Sequence, residues 1–306
     1  MKKKALKITG FAALAGWMFA SAAMGALHDE TTWAQDLLRE RAAKDAEFKT
    51  SATSPISGRE RLTIPAADKR YVVVRGGAVT VATESSPDAA FALVFREGGW
   101  FWEEAAAGVE GRAEETGAAL KPGIVSPGCL FRVGRLSLGA YPGPDSLALI
   151  VFDPHRPEQA AFEHLLYYPP DPRYAVPARL ERFPGPPQVK VTTSRRLEKT
   201  FYRYGRVHFR LDGKDLTLTA LKSALEGPGS DELFIPFKDA TNGGETYEVG
   251  RFLDVKEPDG DALILDFNRC YNPLCNYSPA YNCPMPPLEN ILKIGIPAGE
   301  KTYPHE

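Results

Sequence analysis

The chain has 306 residues, 43% of them hydrophobic, with 37 Lys and Arg against 39 Asp and Glu for a formal net charge of −2. That length suffices for one large domain or two modest ones with true cores. The near balance of charge supplies no electrostatic reason to expect nucleic acid or an anionic membrane as partner, because both draw on a basic excess that displaces counterions.

Met1-Lys2-Lys3-Lys4 leads into an apolar run from Phe11 to Phe19 and then into Ala20, Ser21, Ala22, Ala23, Gly25 and Ala26, the three-part layout of a secretory signal peptide. Residues 1–26 are read as that signal, with cleavage after Ala22 and alternatives after Gly25 or Ala26. The remainder is expected to be exported, to the periplasm or out of the cell. The apolar run is shorter than the roughly 20 residues that span a bilayer. Nothing later is long and apolar enough to do so, and no integral membrane segment is expected once the signal is removed.

Residues 27–57 read as a helix and linker. Thr32 and Gln35 form a capping-box pair, Trp33, Leu37, Leu38 and Phe48 lie near one face, and Ser54-Pro55 ends the element. From 58 to 160 the text changes to short apolar runs, Tyr71 to Val74, Phe91 to Phe95, Trp100 to Trp102, Leu130 to Val133 and Leu147 to Phe152, separated by Gly and Pro turn signals. This is a β-rich unit. The second unit, 161–306, opens on the proline-dense passages Tyr167 to Tyr174 and Phe183 to Pro187, which favour extended chain. Within it Val207 to Leu211, Asp212-Gly213 and Leu216 to Leu218 make a strong hairpin signal. Further strands are expected at Leu233 to Phe237, Thr246 to Leu253, Leu263 to Phe267 and Leu292 to Ile296. The spacing predicts an all-β chain, mainly an antiparallel barrel or sandwich, with one short N-terminal helix.

The stretch Asp266 to Asn290 gathers Cys270, Cys275 and Cys283 with Asn, Tyr and Pro, and has little aliphatic surface to bury. An exported chain meets an oxidising compartment, where Cys275 and Cys283 are the natural disulfide pair; Cys270 with Cys129 would be a second bridge. The spacings lack Cys-x-x-Cys or a nearby His, so no metal centre is expected, and no cofactor. Phosphate-loop, nucleophile-elbow and His-Glu-x-x-His motifs are absent as well.

What remains is a polar constellation: Asp239, Thr241, Glu245, Tyr247, Arg251, Asp266, Asn268, Tyr271, Asn272, Glu289 and Asn290. Two readings stay open. In one, a binding or scaffold protein uses Asp239, Thr241, Tyr247, Asn268, Tyr271, Asn272, Glu289 and Asn290 toward an uncharged or amphipathic small molecule, or as loop braces. In the other, a periplasmic hydrolase uses Asp266 as base, Glu245 as acid and Arg251 as anion clamp, since two carboxylates in unlike surroundings can divide acid and base roles. The sequence names no reaction.

A resemblance adds to this. Trp33 with Arg41, Lys44-Asp45 and Phe48, Ser54-Pro55-Ile56, Tyr168-Pro-Pro-Asp171, Tyr204-Gly205, Leu233-Phe234, Pro236 to Asp239, Thr241, Glu245-Thr-Tyr247, Gly250-Arg-Phe252, Asp266-Phe-Asn268, Tyr271-Asn-Pro273 with Cys275, Cys283-Pro, Pro286-Pro287, Glu289-Asn290 and Ala298 to Lys301 resemble the family known as domain of unknown function 1684. The likeness runs from Trp33 to about Arg61 and from Ala161 to Lys301. Shorter members run almost directly from the helix to the Tyr-Pro-Pro passage, so the resemblance implies that the unit 58–160 is an addition. Cys270 stands where the family usually has a small residue. The resemblance implies no established activity.

Overall fold

The computed structural model describes residues 30–304, and the signal-like segment 1–26 lies outside them. The fold is mostly antiparallel β, with three sheets, one of them a nearly closed barrel, and one long N-terminal helix, Glu30–Thr50. Because the helix is already formed at Glu30, Thr32 sits inside it and not at its cap. Among the described residues no helix is long and apolar enough to cross a membrane. The chain divides into two compact units. One joins Arg41–Leu165 to Pro273–Cys283; the other joins the described residues up to Glu40 to Leu166–Asn272 and Pro284–Thr302.

In the first unit eleven strands form two sheets: β1 (Gly58–Pro65), β2 (Arg70–Arg75), β3 (Ala78–Ala82), β4 (Ala89–Arg96), β5 (Gly99–Glu103), β6 (Val109–Ala113), β7 (Ala119–Leu120), β8 (Gly123–Ile124), β9 (Cys129–Val133), β10 (Leu136–Pro142) and β11 (Ser146–Phe152). Their orders are β1-β11-β10-β9-β6-β7 and β3-β2-β4-β5-β8. Alternation turns one face of each sheet inward, and the faces share a core in which the Phe91 ring lies 4.5 Å and the Trp102 ring 5.1 Å from Phe131. A Cβ at Gly111 would stand 2.6 Å from the Trp102 ring, so only glycine lets β6 cross there. The segment Pro273–Cys283 belongs to this unit and is held by rings: Tyr277 meets Phe48 edge-on at 4.9 Å, and Tyr281 lies 6.5 Å from Phe152.

The family unit holds β12 (Ala175–Arg182), β13 (Gln188–Thr192), β14 (Glu198–Leu211), β15 (Lys214–Lys222), β16 (Glu232–Phe237), β17 (Arg251–Lys256) and β18 (Ala262–Asp266) in one sheet ordered β17-β16-β15-β14-β12-β18, with β13 beside β14. The β14–β15 turn places Asp212 and Gly213 at φ 49° and 74°, as a two-residue hairpin loop requires. Tyr271, just past β18, exchanges backbone hydrogen bonds with Phe252 of β17 at 2.8 and 2.9 Å. That pair brings the two ends of the sheet together.

Two expected strands differ. The stretch expected from Thr246 begins as a strand only at Arg251, because the preceding loop spends its polar groups on itself. Leu292 to Ile296 forms no strand, although Leu292, Ile294 and Ile296 are buried as alternation requires. Its backbone bonds instead to the chain beyond β16, Leu292 N–H to Lys238 O and Ala240 N–H to Ile294 O, both at 2.8 Å, and to side chains.

The four cysteines carry no disulfide in this structure. Cys129 packs in the core of the first unit and Cys270 in that of the family unit. Cys275 and Cys283 are neighbours, with the Cys275 amide donating to Cys283 Sγ at 3.2 Å.

Candidate functional site

The register of β16 with β17 pairs Phe237 with Arg251 and so brings Asp239, two residues past the strand, beside the arginine. Gly250 makes the approach feasible: at φ 115°, a Cβ there would lie 2.5 Å from Phe237 O. Arg251 is wholly buried (0% exposed). Its Nη2 bonds Asp239 Oδ2 at 2.6 Å and Ile296 O at 2.8 Å; Nη1 bonds Ala298 O and reaches Glu300 O at 3.5 Å. The other Asp239 oxygen accepts from Thr241 N–H (2.8 Å), Thr241 Oγ1 (2.6 Å) and Ile296 N–H (3.2 Å). Charge burial on this scale is tolerable only because every oxygen has a donor.

Above this pair the loop is tied through Thr241 Oγ1 to Thr246 Oγ1 at 2.8 Å, and through Asn242 to Thr246 Oγ1 and to the carbonyl of half-buried Tyr247. On the other side Glu300 is buried, with Oε2 accepting the Asn272 N–H at 2.7 Å while Asn272 Nδ2 donates to Lys301 O. Cys270 lies under Gly299, and burial pushes its thiol up to about 11.

The chemistry reaches solvent at Glu245. Its side chain is 60% exposed and is fixed by Lys301 Nζ at 3.0 Å and Tyr168 Oη at 3.0 Å. Lys301 Nζ also stands 4.4 Å above the Tyr168 ring. The hydrogen bond from Lys301, then that from Tyr168, holds the Glu245 carboxyl below its usual range. Burial, aided by Glu245, pushes the Tyr168 hydroxyl up to about 12.

The other constellation members lie in structural roles. Asp266 caps the turn Phe267–Arg269, accepting from Asn268 N–H, Asn268 Nδ2 and Arg269 Nε, and takes the Trp33 indole N–H at 2.9 Å. Asn268 exchanges two 2.9 Å bonds with the Asp171 backbone. Tyr271 donates to Asp254 at 2.5 Å, and burial raises both groups. Glu289 pairs with Arg203 at 3.1 Å.

Asn290 stands between β15 and β16, where Pro236 has no N–H to offer and only Leu221 and Phe234 are in register. Its amide accepts from Thr219 N–H at 2.7 Å and donates to Thr219 O and Pro236 O at 2.9 and 2.8 Å, filling the ladder. Arg251 therefore offers no exposed edge for the expected anion clamp: both Nη groups are engaged and Nε is buried.

Sequence reasoning placed neither Tyr168 nor Lys301 in the site, although both stand in the stretches that carry the family resemblance. It also missed Lys222, which donates to Glu257 and Ser230 O, while Tyr204 Oη and Arg182 Nε reach Glu257 at 2.5 and 2.6 Å. Burial raises Glu257, but the bonds from Lys222, Tyr204 and Arg182 prevail and bring it down to about 2. The available signal was period: Leu216, Leu218 and Ala220 face the core, and Lys222 continues their register. Among the described residues no group of three or more His, Cys, Asp or Glu side chains is placed to hold a metal.

A mostly antiparallel barrel with a loop-braced polar end is the class that fold and site define. Residues 160–301 match the family described as Protein of unknown function (DUF1684), and through them the chain belongs to that family. An uncharacterized protein of Haloarcula marismortui, solved by solution NMR, is 37% identical over 49% of this chain and 83% of that one, with a TM-score of 0.41. Comparison with curated proteins returned no match.

Proposed function

We propose that the protein is exported and acts as a small-molecule-binding β protein: a rigid frame that presents Glu245, with Tyr168 and Lys301, to an uncharged or amphipathic ligand. The observation that carries this reading is the division of labour among the polar residues. Asp239, Asp266, Asn268 and Asn290, and both Nη groups of Arg251, are engaged in internal hydrogen bonds, whereas Glu245 is fixed by two partners and remains 60% exposed. A carboxylate held in place by a lysine and a phenol accepts ligand hydroxyls with little loss of side-chain freedom. The signal-like N-terminus supports export, and in an oxidising compartment Cys275 and Cys283 would pair, releasing two protons and two electrons to a thiol-disulfide oxidant. The hydrolase alternative has less support, because Arg251 is committed to Asp239 and to backbone carbonyls.

Native and denaturing mass spectra of the mature protein test the reading. A mass excess that disappears on denaturation, and is absent from a Glu245→Gln variant of unchanged stability, is the expected result. A bare wild-type chain that also binds nothing in a polyol and glycoside panel would overturn it.

A further inference from the structure

The pleat that sends Leu233, Ile235 and Leu253 into the core of the family barrel turns Phe234 and Phe252 to its outer face. There the rings of several elements meet in a row. Phe201 of β14 stacks on Phe234 of β16 with centroids 5.6 Å apart, and Leu221 of β15, the register partner of Phe234, is buried. Phe234 meets Phe252 of β17 edge-on at 4.8 Å, and Phe252 meets Tyr271, past β18, edge-on at 5.9 Å. Phe252 is the buried floor of the row, whereas Phe201, Phe234 and Tyr271 are half-buried. Cross-strand ring pairs stabilise a sheet. A continuous strip of four rings on the side away from the core is also a contact surface.

Two acceptors flank the row at its Tyr271 end. Asp254 shares the outer face of β17 with Phe252 and takes the Tyr271 hydroxyl proton at 2.5 Å, and Glu232, on the outer face of β16, is exposed. A carboxylate that accepts one hydrogen bond has lone pairs for more. Of the cations on this face, Lys256 stands opposite Glu232 in the register, and Arg203 is drawn to Glu289 at 3.1 Å.

Rings beside carboxylates fit a chain of neutral sugars, whose C–H faces lie on the rings while hydroxyls donate to the acids. A proline-rich strand would bring carbonyls that need donors. Single-stranded nucleic acid would stack on the rings but set its phosphates against Asp254 and Glu232. With three centroid-to-centroid steps the row is longer than a single sugar ring, so the ligand is an oligomer.

We propose that the outer face of the barrel is a second binding site, in which the row Phe201–Phe234–Phe252–Tyr271 receives a neutral oligosaccharide and Asp254 and Glu232 accept its hydroxyls. The row shares no side chain with the Glu245 site, so either reading can fail alone.

The test is isothermal titration calorimetry of the mature chain with chitohexaose, cellohexaose and maltohexaose, and with the corresponding monosaccharides. Binding of a hexasaccharide and not of its monosaccharide is expected. Phe201→Leu, which keeps apolar packing without a ring, should weaken that binding about 10-fold, and Phe201→Tyr should retain it. Asp254→Asn should also weaken it about 10-fold, from the loss of a charged acceptor. Unaltered thermal unfolding of the variants separates binding from folding. No binding of any hexasaccharide, full affinity in both Phe201→Leu and Asp254→Asn, or tighter binding of a single-stranded oligonucleotide or a proline-rich peptide would each overturn the inference. Loss of hexasaccharide binding in Glu245→Gln with the row variants unaffected would assign the saccharide to the Glu245 site and overturn it as well.

Discussion

Replacing Asn290 by aspartate changes one NH2 to an oxygen and almost nothing in shape, which isolates what the amide does. The residue is wholly buried (0% exposed), and its Nδ2 lies 2.9 and 2.8 Å from the carbonyl oxygens of Thr219 and Pro236. A carboxylate there would set negative oxygen against both carbonyls, so the folded Asn290→Asp variant must hold a proton. Keeping an ordinary carboxyl protonated at neutral pH costs about 4 kcal/mol, given a reference pKa of about 3.9. The folded variant then binds one more proton than the unfolded chain. Stability relative to wild type therefore falls as pH rises, by about 1.4 kcal/mol per pH unit between about pH 4 and 7. Asn290→Leu strands the Thr219 N–H and the two carbonyls, and should lose about 3 kcal/mol with no such slope. Urea unfolding followed by circular dichroism, with wild type measured at each pH, reads both. A pH-independent loss in the aspartate variant, or a loss under about 1 kcal/mol at neutral pH, would refute the assignment of Asn290 as the filler of the β15–β16 ladder.

Arg251→Met leaves Asp239 buried without its partner and should destabilise by about 3 to 5 kcal/mol in the same urea assay, with Arg251→Met/Asp239→Leu losing less than the sum of the single changes. Glu257→Gln should lower stability at neutral pH. Because the folded carboxyl is depressed to about 2, the difference from wild type should close as pH falls from the ordinary carboxyl range toward that value, followed by acid titration of thermal unfolding. Glu245→Gln removes a charge that helps raise Tyr168, so ultraviolet titration of tyrosinate should show a group near 12 moving down, while Lys301→Met should leave it high. On the proposal that the chain is exported, the exported protein should be lighter than the reduced chain by two hydrogens, a difference that Cys275→Ser abolishes in denaturing mass spectra.

The hairpin around Asp212-Gly213 and five strands of the first unit, β2, β4, β5, β9 and β11, were legible because each rests on local signals: short apolar runs bounded by turn residues. The Leu292 to Ile296 segment shows where that logic ends. Its side chains obey the period, but the backbone follows its partners, and those are Lys238, Ala240 and the guanidinium of Arg251. The candidate residues were recognisable as a group, since Asp, Asn, Thr and Arg cluster in the loops and turns of the family unit. Their roles were not, because saturation depends on contacts distant in sequence: the Asp239 carboxylate is completed by Ile296, and Glu245 is fixed by Tyr168 and Lys301.

The Arg251–Asp239 pair also bears on the order in which the molecule is made. The three carbonyls that receive the guanidinium belong to Ile296, Ala298 and Glu300, residues that a ribosome adds after the strands of the barrel. Until they emerge, β16 and β17 can pair but cannot bury the arginine without leaving its donors unmet. The family unit is thus built to close late, and a nascent chain halted before Ile296 should remain loosely packed and accessible to chaperones and proteases. Synthesis of the final turns acts as the latch on the whole barrel.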